Sequence, residues 1–152
     1  MGKNQLVSRY LLQGGDNNIK MIIKKEIINL GDMFCNCKEN TNIKELEFLD
    51  TSNVIDFSNM FDKCSYSFIE DLKAFLNWNV SNGKNFKSMF KGCSSLSDIN
   101  AIKNWDVSNG NNFEGMFDGC STLSEINALK NWNVSNGKIL NLCSKDVHHY
   151  QI

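Results

Sequence analysis

The sequence predicts an α/β solenoid of about four to five 27-residue coils. Each coil is read as strand, turn and helix, with a parallel sheet on one face and short helices on the other. Three observations carry this. Asn-Trp-x-Val-Ser-Asn-Gly recurs at 77–83, 104–110 and 131–137, with Asn or Asp at the variable position. Met-Phe-x-x-Cys recurs at 33–37, 60–64, 89–93 and 116–120. Met33, Met60, Met89 and Met116 are spaced 27, 29 and 27 residues apart. A fixed period of roughly 20–50 residues marks units that cannot bury an apolar face alone and must stack on their neighbours.

The elements follow in chain order. Residues 1–29 read as an N-terminal capping segment, in which Ile19, Met21 and Ile23 alternate like a first strand. Residues 30–142 form the repeat array. In its cleanest unit Phe86, Met89, Phe90 and Cys93 sit at i, i+3, i+4 and i+7, the apolar stripe of a short helix. Asn85 is read as its N-cap and Gly92 as its stop. Leu96-x-x-Ile99-x-Ala101-x-x-Asn104 follows, close to the strand consensus of leucine-rich repeats. Two-residue alternation turns Ile99 and Ala101 inward and leaves Asp98 and Asn100 outside. Trp105 then fills the corner. Residues 143–152 lose the signature and read as a degenerate cap or tail.

Several slots invite sharper readings. Cys37, Cys64, Cys93 and Cys120 share one slot. On a helical face they would lie roughly 9–10 Å apart, beyond disulfide reach of about 7 Å, so buried reduced thiols are expected. Trp78, Trp105 and Trp132 read as core filling rather than a stacking ladder for a ligand. Asn53, Asn82, Asn109 and Asn136 read as an inward asparagine ladder that bonds the backbones of adjacent coils. Asn79-Val80-Ser81 and Asn133-Val134-Ser135 match the glycosylation sequon, but Asp106 holds the same slot in the coil between them.

Composition narrows the function classes. Net charge is −1, with 16 basic against 17 acidic residues, and Arg9 is the only arginine. No basic cluster forms, so nucleic acid is not an expected partner. The apolar runs are too short for a membrane span. Cys35-x-Cys37 has the wrong spacing for zinc, Gly14-Gly15 lacks the Lys-Ser/Thr of a phosphate loop, and His148-His149 sit in the tail. No catalytic residue, metal or cofactor is expected.

Asp50-Thr51-Ser52-Asn53-Val54 running into Met60-Phe61-x-x-Cys64 resembles the BspA-type repeat family, also known from mycoplasma lipoprotein-type surface proteins. The similarity covers about residues 30–142. The resemblance implies a leucine-rich-repeat-like solenoid at a bacterial or protist cell surface, secreted or displayed, and linked to adhesion. The chain differs in its longer unit and in Gly83, Gly110 and Gly137, which stand where the family has Val. Met1–Leu12 shows no export signal, so a complete chain would be cytoplasmic.

The function expected is a monomeric, non-enzymatic interaction or adhesion module for a protein or glycan partner. The alternative is a structural segment of a longer surface repeat protein. The candidate partner-binding residues are the outward slots of successive coils: Asp71 and Lys73; Asp98, Asn100 and Lys103; Glu125, Asn127 and Lys130. The same slots of the first coil hold Lys44, Glu45 and Glu47.

Overall fold

A computed structural model describes residues 27–37, 44–64 and 72–136. Most of both expected caps, including the strand at Ile19–Ile23 and the His148-His149 pair, lies outside them. The repeats do stack, but not as a sheet backed by helices. The expected α/β leucine-rich-repeat solenoid is overturned on both faces.

Among the described residues extended pairing is confined to isolated bridges, including the parallel pairs Asn29 with Asp56, Asp56 with Asn85 and Asn85 with Asn112. The described helices are all short 3-10 segments: η1 (Lys44–Phe48), η2 (Lys73–Phe75), η3 (Asn100–Ile102) and η4 (Asn127–Leu129). The last three occupy the run expected to be a strand.

The cause is a period of three. Leu96, Ile99, Ile102 and Trp105 are buried, and after a two-residue step so are Val107, Gly110, Phe113 and Met116. These inward residues also bond one another. Leu96 N donates to Cys93 O, Ile102 N to Ile99 O, Trp105 N to Ile102 O and Gly110 N to Val107 O, at 2.8–3.2 Å. Each bond runs from residue i+3 back to residue i, the 3-10 pattern of three residues per turn, in which side chains at i and i+3 eclipse on one side. A 3-10 turn therefore buries Ile99 and Ile102, whereas a strand would have buried Ile99 and Ala101. Ala101 is only partly buried.

The Phe86–Cys93 stripe is buried as expected, yet it is not a helix. Ser88 (φ 54°) and Gly92 (φ 69°) adopt left-handed backbone, as do Asn59, Lys63, Gly115 and Gly119 at the same slots. A left-handed residue every fourth position cannot propagate an α-helix. Alternate N–H groups turn instead to the next coil. Phe57, Asn59, Phe61 and Lys63 donate to the carbonyls of Asn85, Lys87, Met89 and Lys91; Phe86, Ser88, Phe90 and Gly92 donate to Asn112, Glu114, Met116 and Asp118. Leu30, Asp32, Phe34 and Asn36 do the same toward Asp56, Ser58, Met60 and Asp62. Asn85 caps no helix. Its Oδ1 accepts Lys87 N at 3.2 Å and closes a local Asx turn.

Inside, identical side chains lie over one another. Phe34, Phe61, Phe90 and Phe117 stack with centroids 5.4–5.6 Å apart. Phe57, Phe86 and Phe113 stack at 5.2 Å, and the three tryptophans at 6.3 Å. Offset aromatic pairs contribute roughly 0.5–1.5 kcal/mol each beyond area burial. The polar handles are satisfied between coils. Trp78, Trp105 and Trp132 donate Nε1–H to the carbonyls of Leu46, Phe75 and Ile102. Buried Thr51 donates its hydroxyl to Asn79 O at 2.9 Å.

Candidate functional site

The outward slots fall on the rim formed by the 3-10 segments. Asp98 and Glu125 each precede a segment by two residues, and Asn100 and Asn127 open it. Lys103 and Lys130 close it, their backbone N–H groups bonding back to Asn100 O and Asn127 O. All six are exposed. Lys73 opens η2, shares the slot of Asn100 and Asn127, and is exposed. Asp71 lies outside the described residues.

Local turn chemistry positions the acidic groups. Asp98 Oδ1 accepts Asn100 N at 2.7 Å, which fixes the carboxylate at the start of η3. One coil on, Asn127 Nδ2 reaches Glu125 Oε2 at 3.4 Å. Between these two coils runs a shallow groove of about 160 Å³, lined by Ser97, Asp98, Asn100, Ser124, Glu125 and Asn127. The structure thus brings four of the expected residues to one depression. Lys103 and Lys130 stand outside its lining. The surface offers carboxylates, carboxamides and hydroxyls.

Two features of this surface escaped the sequence reading. The column of Lys103 and Lys130 becomes Leu76 one coil earlier, and Leu76 is 60% exposed. Phe48, at the end of η1, is 77% exposed. The rim therefore turns apolar toward the earlier coils. Another groove, about 340 Å³, is lined by Ile28, Asn53, Ile55, Asn82 and Lys84. The slot of Lys84 holds Ile55 and Ile28 in preceding coils, and both are exposed. The signal was present in each case: an apolar residue breaks a polar column.

The asparagine ladder is real but faces the other way. Asn82, Asn109 and Asn136 donate Nδ2–H to the carbonyls of Ser52, Ser81 and Ser108 at 2.7–2.9 Å, yet all three side chains are exposed. The sequon slot serves the adjoining turn. Asn79 Oδ1 accepts Ser81 N and Ser81 Oγ. Asp106 accepts Ser108 N at 3.1 Å, and hydrogen bonds from the Ser108 side chain and backbone hold its carboxyl below the usual range. Asp50 is lowered the same way by Ser52. Asn and Asp close this turn equally well, which is why both occur there.

Cys64, Cys93 and Cys120 are buried thiols, and Cys35 and Cys37 are partly buried thiols. Cys143 lies outside the described residues. Among the described residues no three His, Cys, Asp or Glu side chains converge as a metal ion would require. No helix among them is long and apolar enough to cross a membrane.

The family described as a Mycoplasma protein of unknown function, DUF285, matches residues 24–151, most of the chain. No curated protein and no solved structure matches.

Proposed function

Starting from the fact that this chain belongs to the DUF285 family, whose function is unknown, we propose that it is a non-enzymatic interaction module. It captures a polar protein or glycan partner across the rim of its 3-10 segments. The observation that supports this reading is the groove shared by two coils, in which Asp98, Asn100, Glu125 and Asn127 converge. Equivalent donors and acceptors recur in these two coils, a layout suited to a ligand with repeated polar groups. Ser97 and Ser124 add hydroxyls between them.

A second reading has its own support. The backbone hydrogen-bond columns run through every described coil, as they would in one segment of a longer repeat array with no partner of its own.

Glycan and peptide arrays probed with the whole chain separate the two. An interaction module gives hits, and replacing Asp98, Asn100, Glu125 and Asn127 together with Ala removes them without altering the circular-dichroism spectrum. Arrays blank for the parent chain favour the structural segment. Hits that survive the quadruple change move the binding surface elsewhere.

A further inference from the structure

The carbonyl of Phe34 accepts two hydrogen bonds. One comes from Cys37 N in its own coil at 3.1 Å, the other from Cys64 Sγ of the next coil at 2.9 Å. The Cys37 backbone and the Cys64 thiol therefore meet at one oxygen, which sets the two cysteines side by side across the coil boundary. The backbones beside them are paired directly: Phe34 N donates to Met60 O at 2.9 Å and Asn36 N to Asp62 O at 2.8 Å. The rings of Phe34 and Phe61 lie 5.4 Å apart and within 5° of parallel. Coils at this spacing fall inside the Cα separation a disulfide bridges, about 4.4–6.8 Å. The helical spacing that excluded disulfides in this column does not exist, because the slot lies on hydrogen-bonded backbone.

The same motif recurs deeper. Phe61 O accepts Cys64 N and Cys93 Sγ, and Phe90 O accepts Cys93 N and Cys120 Sγ. What distinguishes the first pair is access. Cys64 and Cys93 are each 1% exposed, whereas Cys37 is only half-buried. The two members of the first pair are also unequal. The neighbouring Cys64 side chain holds the Cys37 thiol below its ordinary value, while Cys37 and burial push Cys64 upward.

We propose that Cys37 and Cys64 are a cross-coil thiol pair that hydroperoxides close to a disulfide, stapling the first coil to the second. Cys37 is the nucleophile and Cys64 the resolving thiol. The Cys37 thiolate attacks the distal peroxide oxygen; the O–O bond breaks, the alcohol or water leaves with a proton, and Cys37 becomes a sulfenic acid. Cys64 sulfur then attacks the Cys37 sulfur. An S–S bond forms, the S–O bond breaks, and hydroxide leaves with the Cys64 proton as water. Two thiols are oxidised and one peroxide is reduced, with no further reagent. The division of roles follows from thiolate character and exposure, which set cysteine reactivity.

The test uses the whole chain, fully reduced and freed of reductant, then treated with a small molar excess of hydrogen peroxide. It is alkylated in denaturant without reductant, and its peptides are mapped by mass. The six cysteines should fall to four alkylated thiols in a chain that stays free of intermolecular bonds. One peptide pair should join Cys37 to Cys64, and dithiothreitol should separate it. Cys93→Ser should leave that linkage in place. Cys64→Ser should trap Cys37 as a dimedone-reactive sulfenic acid. The parent linkage map decides even without the variants: a bond joining any other pair, or six thiols surviving, overturns the proposal.

Discussion

Trp105 donates its indole N–H to the carbonyl of Phe75, 30 residues earlier and one coil below, at 3.1 Å. The acceptor lies in η2, whose equivalents in the neighbouring coils are η1 and η3. Trp78 and Trp132 repeat the bond to Leu46 and Ile102. Each coil is thus pinned to the one below by a buried polar bond and an aromatic stack at the same corner. Substitutions at stacked positions should be felt through two interfaces at once.

Phe90 is fully buried between Phe61 and Phe117. Phe90→Ala should cost about 3–5 kcal/mol, the usual loss on emptying a core aromatic site. Urea unfolding followed by tryptophan fluorescence measures it. A loss under about 1 kcal/mol would mean that the stacked column does not hold the coils together.

Gly110 has no room for a side chain. A Cβ there would overlap the Phe113 ring and lie 2.9 Å from Val107 O. Gly110→Ala should therefore destabilise by about 1–3 kcal/mol through overpacking, against a few tenths for an exposed Asn111→Ala. Thermal melts of the two variants compare them directly.

Asn109→Asp exchanges the amide that donates to Ser81 O at 2.8 Å for a carboxylate facing that carbonyl. The bond is exposed, so the expected cost is modest, about 0.5–1.5 kcal/mol at pH 7. It should shrink as the pH falls below about 4 and the new acid regains a proton. A cost independent of pH would show that charge at this slot is irrelevant.

Burial pushes the Cys93 thiol up to about 12 from an ordinary 9.0. The folded chain keeps this proton where the unfolded chain has lost it. The stabilisation is therefore complete below pH 9 and is lost as the pH climbs toward 12, at about 1.4 kcal/mol per unit. Cys64 shifts in the same direction. Urea midpoints taken between pH 7 and pH 10.5 should fall more steeply for the parent than for Cys93→Ala.

The repeat and the buried Phe-Met-Phe-Cys and Trp columns were legible in the sequence, whereas Phe75, Ile102 and Leu129, each fully buried, were not. Nor was the secondary structure. Phe86, Met89, Phe90 and Cys93 satisfy a helical template, and four residues cannot distinguish it from turns meeting at consecutive inward positions. The longer run Leu96-x-x-Ile99-x-x-Ile102-x-x-Trp105 carried the missing information as a sustained period of three, which belongs to neither a strand nor an α-helix. Glycines at 92, 115 and 119 marked the left-handed slots, while Ser88 and Lys63 concealed them. At the candidate groove, Asp98, Asn100, Glu125 and Asn127 were found because exposed slots stay exposed in either fold. Phe48, Leu76 and Ile55 were overlooked because the outward columns were read only for polar residues.

The columns of backbone bonds have a direction. In each of the first three described coils four backbone N–H groups point toward the following coil, which returns two N–H groups to one carbonyl (Ile28, Ile55 or Lys84). The array is consequently polar along its axis. Two copies meeting end to end through these edges could prolong the columns only head to tail, since a two-fold axis would set N–H against N–H. Such contact has no closed form and leads to open fibres rather than dimers. What blunts the two ends of the array therefore matters as much to its solubility as the composition of its flanks.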